Sequence, residues 1–186
     1  MTAFFTGDTH FEHANILKYC KRPFKDTIEM RETMIQRWNA KVKPGDTVYI
    51  VGDFAFADEA TILSILDRLN GQKFLIYGNH DKQVKQSQAV KAKFVKCCDY
   101  LEVNIADHKT ENGKQSIVLS HYAMIVWNKS HHGSWMLHGH SHGNLKYPFK
   151  AKIMDVGVDA NNYEPISYDE VKAIMDTRPI AEVDHH

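Results

Sequence analysis

Five apolar runs in this chain end in the same way. "AFFTG" (residues 3–7) is followed by Asp8-Thr9-His10, "TVYIVG" (47–52) by Asp53, and "KFLIYG" (73–78) by Asn79-His80-Asp81. "QSIVLS" (115–120) is followed by His121, and "SWMLHG" (134–139) by His140-Ser141-His142. Each run reads as a buried strand, and each delivers Asp, Asn or His just past its end, usually through a glycine. In open sheets with parallel strands, ligands bind in the crevice beyond the carboxyl ends, where residues distant in sequence converge. Glycine there lets the chain turn sharply and brings backbone close to a ligand. Carboxylates and imidazoles clustered at such an edge are costly unless cations pair with them. Mixed Asp, Asn and His donors suit a borderline transition metal such as Mn, Fe or Zn, whereas all-oxygen sites suit Mg or Ca. Two such ions about 3.5–4 Å apart form a clamp for in-line displacement at phosphorus.

The segments between these runs carry helical patterning. A short helix is expected over 13–19. In "DTIEMRETMIQRWNAKV", Met30, Met34, Trp38 and Val42 recur every four residues, with Asp26 or Thr27 as the cap. Ile62, Leu63, Leu66 and Leu69 mark a helix over 59–69 that stops at Asn70-Gly71. A weaker helix is expected over 83–94. "YLEVNIAD" and "QSIVLS" read as strands joined through Asn112-Gly113, and "KIMDVGV" as a further strand. Ser167 and Glu170 form a capping box that opens a last helix running to 176. Helices alternate with strands early and hairpin-like strands dominate late, so the expected class is α/β or mixed layered.

Bulk properties restrict function without assigning it. With 186 residues, one domain over 1–177 and a tail over 178–186 containing His185 and His186 are expected. The formal net charge of zero supplies no overall basic field toward nucleic acid or anionic membrane. The three cysteines, two of them adjacent, suggest neither a disulfide framework nor a zinc-thiolate site. The start "MTAFFTGDTH" lacks a signal-peptide pattern and no apolar run is long enough to span a bilayer, so a cytoplasmic location is expected. Histidine is the outlier, with 12 copies, several of them grouped in "DTHFEH", "GNHD", "SHY" and "LHGHSHG".

Taken in order, D-x-H (Asp8, His10), G-D (Gly52, Asp53), G-N-H-D (Gly78 to Asp81), His121 and G-H-x-H (Gly139 to His142) resemble the calcineurin-like metallophosphoesterases. The resemblance spans about residues 4–142. It implies a two-sheet β-sandwich flanked by helices, a four-layer αββα arrangement, with a dinuclear site at one edge. It further implies that Asp8, His10 and His142 hold one metal, that Asn79, His121 and His140 hold the other, and that Asp53 bridges them. His80 would reach the phosphate and leaving group as general acid, while a metal-bridging hydroxide attacks phosphorus. Asp81 would orient the turn or a neighbouring imidazole. The implied cofactors are two divalent transition-metal ions, Mn favoured, and the implied substrate is a small phosphomonoester or phosphodiester, nucleotide-like compounds included.

Departures from the family pattern narrow this expectation. Phosphoprotein phosphatases of the superfamily carry an Asp-Arg pair where this chain has Phe56 and Ala57, which argues against protein phosphatase activity. "HYAM" has Ala123 where many members have proline, a change of loop rather than of ligand. Two stretches, "DTHFEHANILKYCKRPF" and "MDVGVDANNYEPISYDEV", resemble a small bacterial or phage branch, in which His13 and Asn15 fall beside the site. Arg22 is a candidate phosphate contact, and His138 is as readily a packed or supporting group as a functional one. Asp155 and Asp159 are expected to fix a strand end. Trp127, Trp135 and Tyr122 have the chemistry to stack a nucleobase but are expected to belong to the core, and the lysines at 82, 85, 91, 93 and 96 read as a solvated face. The competing functions are a nuclease, which needs a basic groove not evident here, and a non-catalytic binding module that kept the fold.

Overall fold

A computed structural model describes residues 1–110 and 112–180. Two sheets face each other. The first has strand order β4-β3-β2-β1-β9, formed by β1 (Ala3–Thr6), β2 (Thr47–Val51), β3 (Gln72–Ile76), β4 (Lys96–Cys98) and β9 (Ile166–Ser167). In it β1 to β4 run parallel and β9 antiparallel to β1. The second has order β5-β6-β7-β8, formed by β5 (Tyr100–Ala106), β6 (Lys114–Ser120), β7 (Trp135–His138) and β8 (Ile153–Asp155). Here β5 and β6 form an antiparallel hairpin, and β6, β7 and β8 are parallel.

The near-continuous apolar runs of β1 and β2 follow from burial on both faces. Phe4, Val48 and Ile50 pack outward against α2 (Thr27–Lys41) and α3 (Glu59–Arg68) through Met30, Met34, Trp38, Ile62 and Leu66. Their neighbours Phe5, Tyr49 and Val51 point the other way, into the core shared with Ile117, Leu119, Trp135 and Leu137 of the second sheet. Asp26 and Asp58 cap α2 and α3 by accepting from backbone N–H groups. The capping box of Ser167 and Glu170 opens α6 (Tyr168–Met175), whose Val171 and Met175 enter the inter-sheet core. On the outer face of the second sheet, Val118, Met136 and Ile153 are covered by Trp127 and Ala151 from loops.

Two details differ from expectation. The weak helix over 83–94 is two short ones, α4 (Lys82–Gln86) and α5 (Gln88–Lys91), divided at Ser87, whose hydroxyl caps the second. The short strands β4 and β9 have no sequence signal of their own and exist through pairing with β3 and β1. Helix α1 (Ala14–Tyr19) lies where the pattern placed it. Of the expected tail over 178–186, residues 181–186 lie outside the described residues, among them His185 and His186.

Candidate metal centre

The site is built where the two sets of parallel strands end. Past β1 and β2 the chain continues side by side: Asp8 N–H donates to Gly52 O and His10 N–H to Asp53 O, both at 2.9 Å. The second sheet joins there, because Gly7 bridges Gly157 beyond β8 and Val158 N–H donates to Gly7 O at 3.0 Å. Two donor groups result. Asp8, His10 and His142 present ligand atoms within 4.8 Å of one another, and so do Asp53, His121 and His140. Asp53 Oδ2 lies 3.5 Å from both His10 Nε2 and His121 Nε2, so its carboxylate reaches both groups. Asn79 Oδ1 is 3.0 Å from His121 Nε2. The floor, formed by Asp8, His10, Asp53 and His121, is buried, while Asn79, His80 and His140 stand exposed at the mouth.

These residues fit a divalent cation on their own chemistry. The carboxylate of Asp8 is fully buried, and neither oxygen has a hydrogen-bond partner among the described residues. Burial, reinforced by the Asp155 and Asp53 carboxylates, pushes its pKa up to about 7 despite His142 and His121 nearby. Such a group is costly without a positive partner. His10 Nε2 is likewise buried without a hydrogen-bond partner among the described residues, and burial lowers that imidazole to about 3, leaving a neutral ring with a lone pair to give. His121 Nδ1 donates to Val51 O at 3.0 Å, which leaves the Nε2 lone pair facing the oxygens of Asn79 and Asp53. Three electron-rich atoms so placed repel unless a proton or cation sits among them. Asp53 itself is pushed up by burial, but His121, the His80 N–H and His10 outweigh that and hold it at about 2.

The supporting residues divide into those facing the cleft and those beneath it. His13 and Asn15 line the cleft. Among the described residues Asp81 bonds no imidazole. Its carboxylate accepts from the backbone N–H groups of Gly78 (2.7 Å), Asp53 (2.9 Å) and Phe54 (2.8 Å), pinning the loops after β2 and β3 together. Arg22 is buried with its donors turned away from the cleft, so the expected phosphate contact is replaced by a structural one. It donates to Asp159 through Nε (2.8 Å) and an η nitrogen (2.7 Å), and to the carbonyls of Asp8 and Thr9. His138 is packed below the site, bonded to Gly139 O and the Tyr147 hydroxyl, both at 2.7 Å.

Sequence reasoning placed Asp159 at a strand end and missed its part in supporting His142. Asp159 follows β8 on a single 3-10 turn, Val158–Ala160, and accepts from His142 Nδ1 at 2.6 Å while holding Arg22. This carboxylate fixes the tautomer of His142 and leaves Nε2 as the nitrogen free to bind. Its partners are 17 and 137 residues away, so no local motif announces it. Asp155 does fix the strand end, accepting from Gly143 and Gly157 N–H.

The profile of the family "calcineurin-like phosphoesterase" matches residues 1–150, and the chain belongs to that family. Its general activity is accordingly metal-dependent hydrolysis of phosphate esters. An uncharacterized protein of Methanocaldococcus jannaschii is 33% identical over 177 residues, covering 91% of this chain and 89% of its own. The gene 66 protein of Mycobacterium phage L5 is 24% identical over 179 residues, covering 84% and 86%. Among solved structures, a protein of unknown function from Aquifex aeolicus superposes with a TM-score of 0.70 at 29% identity, covering 93% of this chain and 98% of its own. No helix among the described residues is long and apolar enough to cross a membrane.

Proposed function

We propose that the protein is a dinuclear phosphoesterase in which Asp8, His10 and His142 hold one divalent transition-metal ion, Asn79, His121 and His140 hold a second, and the Asp53 carboxylate is shared. The observation that carries this reading is the fully buried Asp8 carboxylate without a hydrogen-bond partner among the described residues, beside two imidazoles. Bound divalent cations supply Lewis acidity, polarising the phosphoryl group and bringing the pKa of water toward neutrality.

The chain's own residues do the rest. His80 is held over the site by its N–H, which donates to Asp53 Oδ1 at 2.8 Å, and its ring stands 5.5 Å from that of His10. From there its imidazole stabilises charge on the phosphoryl oxygens and gives a proton to the departing oxygen. Asp159 and Arg22 hold His142 in register from below, and Asp81 holds the Asp53 and Asn79 loops. The cleft of about 330 Å³ suits a small phosphomonoester or phosphodiester.

The test is metal content by mass spectrometry after loading with Mn, Fe or Zn, alongside hydrolysis of bis(4-nitrophenyl) phosphate. The expected result is two ions per chain, highest turnover with Mn, and loss of both metal and turnover in Asp53→Asn. A wild-type chain that binds no transition metal, or an Asp53→Asn variant that keeps both ions, overturns the assignment.

A further inference from the structure

His10 differs from His121 and His142 in what stands behind it. A metal-binding histidine ordinarily donates its second ring N–H to a carboxylate, a backbone carbonyl or water, which fixes the tautomer. His142 does so to Asp159 at 2.6 Å and His121 to Val51 O at 3.0 Å. His10 has another imidazole instead: its Nδ1 lies 3.2 Å from Nδ1 of His13. A turn brings the two rings together, with His13 N–H donating to His10 O at 3.1 Å.

Local structure does not account for a histidine at this position. His13 is the N-cap residue of α1, where Ser, Thr, Asp or Asn would cap the helix, and its side chain makes no cap bond. Its ring is stacked on Phe56, with centroids 4.8 Å apart and planes 27° from parallel, and Phe56 is itself anchored by its N–H, donated to Phe11 O at 2.8 Å. The half-buried ring lines the cleft together with Asp53 and His80, its centroid 5.9 Å from that of His80. A carboxylate or a carbonyl would hold His10 equally well. What an imidazole adds is a second nitrogen on its far edge.

The protons follow in order. His10 Nε2 is buried 3.5 Å from Asp53 Oδ2 and is the nitrogen given to the metal. A neutral imidazole carries one proton, which for His10 is then on Nδ1 and is donated to His13. His13 Nδ1 is therefore an acceptor, and the proton of that ring is on Nε2.

We infer that His13 serves metal and substrate together: its Nδ1 accepts from His10 Nδ1–H and fixes that ligand, and the Nε2–H this leaves is donated to a phosphoryl oxygen beside His80. The inference rests on the metal-centre reading above. His13 adds a directed hydrogen bond to the cleft without adding charge, and the same ring that orients a ligand from behind touches the substrate in front.

Two variants separate the two bonds, because Asn places its amide where His carries Nδ1 and Gln where it carries Nε2. Each is measured for zinc affinity by chelator competition and, once saturated with zinc, for calorimetric binding of inorganic phosphate. His13→Asn should keep both ions and bind phosphate about tenfold more weakly. His13→Gln should weaken one of the ions by about 10–100-fold and, when saturated, bind phosphate as the wild type does. Nitrogen NMR of the imidazoles in the zinc-loaded wild type needs no variant to fold, and should find His10 protonated at Nδ1 and His13 at Nε2. A His13 ring protonated at Nδ1, a His13→Ala variant that keeps both ions and full phosphate affinity, or the opposite division between Asn and Gln overturns the inference and leaves the metal centre standing. A wild-type chain that binds no transition metal removes the centre itself, and this inference falls with it.

Discussion

Replacing Asp159 by Asn perturbs the support of the site without touching its donor set. The Arg22 side chain is 0% exposed and that of Asp159 7%, with Arg22 bonds of 2.8 and 2.7 Å and a His142 bond of 2.6 Å. Asn keeps the shape and one acceptor oxygen but loses the charge that neutralises a buried guanidinium. Removing one partner of a buried ion pair costs about 3–5 kcal/mol. The remaining acceptor, and the carbonyls of Asp8 and Thr9 that also hold Arg22, place the expected loss at the lower end, about 3 kcal/mol. For a chain of this size that lowers the melting midpoint by about 6–12 °C. Loss of the carboxylate behind His142 should separately weaken metal binding by about 10–100-fold. Thermal and urea unfolding of the chelated protein measure the first effect, and competition with a metallochromic chelator measures the second. Burial raises the pKa of Asp159, but His142 and Arg22 prevail and hold it below the ordinary value of 3.8. Its contribution to stability is therefore present above that pH and lost as pH falls through the depressed folded value, so the two unfolding curves should converge in acid. Removing both charges in Arg22→Met/Asp159→Leu should recover part of the stability while metal affinity stays low. A chelated Asp159→Asn protein that melts with the wild type refutes the ion-pair reasoning, and undiminished metal affinity refutes the role assigned through His142.

Other perturbations separate backbone geometry from chemistry. A Cβ at Gly78 would fall on Asp53 Oδ1 and lie 2.6 Å from Asp53 N, so Gly78→Ala should displace the shared carboxylate and lower bound metal; a full complement of ions in that variant speaks against Asp53 as the bridge. Asp81→Ala strands three backbone N–H groups in the interior and should cost about 3 kcal/mol or more, read by urea unfolding. His80→Ala should lower kcat by about 10²–10⁴ with metal content intact, and a coincident loss of metal would make it a ligand rather than an acid.

The sequence made the strand ends legible because each donor follows an apolar run with a turn residue, and these are local patterns. The long helices α2 and α3 were legible for the same reason, through four-residue apolar spacing and a capping Asp. Two kinds of feature were hidden. β4 and β9, three and two residues long, have too little sequence to carry a periodic signal and depend on their neighbours for hydrogen bonds. Arg22 and Asp159 were individually visible, but their pairing is a tertiary event. An arginine near a phosphate site suggests a substrate contact, and only its burial against Asp159 turns it into a support. Asp81 falls between these cases: its position in "GNHD" pointed to the turn, and the three N–H groups it accepts from belong partly to the neighbouring loop.

Backbone conformation supplies an argument that side-chain proximity alone does not. Asp8, His10, Asp53, His140 and His142 all adopt left-handed φ, between 48° and 66°. For residues with a Cβ this region costs about 1–2 kcal/mol each, and glycine or asparagine would occupy it more cheaply. The kinks are held by the ladder bonds that continue past β1 and β2, where Asp8 and His10 donate to Gly52 and Asp53 carbonyls. Each kink re-aims a side chain that would otherwise alternate across the strand, so donors from separate strands turn into one crevice. A fold needing only sharp turns at five places would be more stable with glycine there. Of the ten non-glycine residues with left-handed φ among the described residues, five are donors of the proposed centre, which is where such conformations tend to gather when a site requires them.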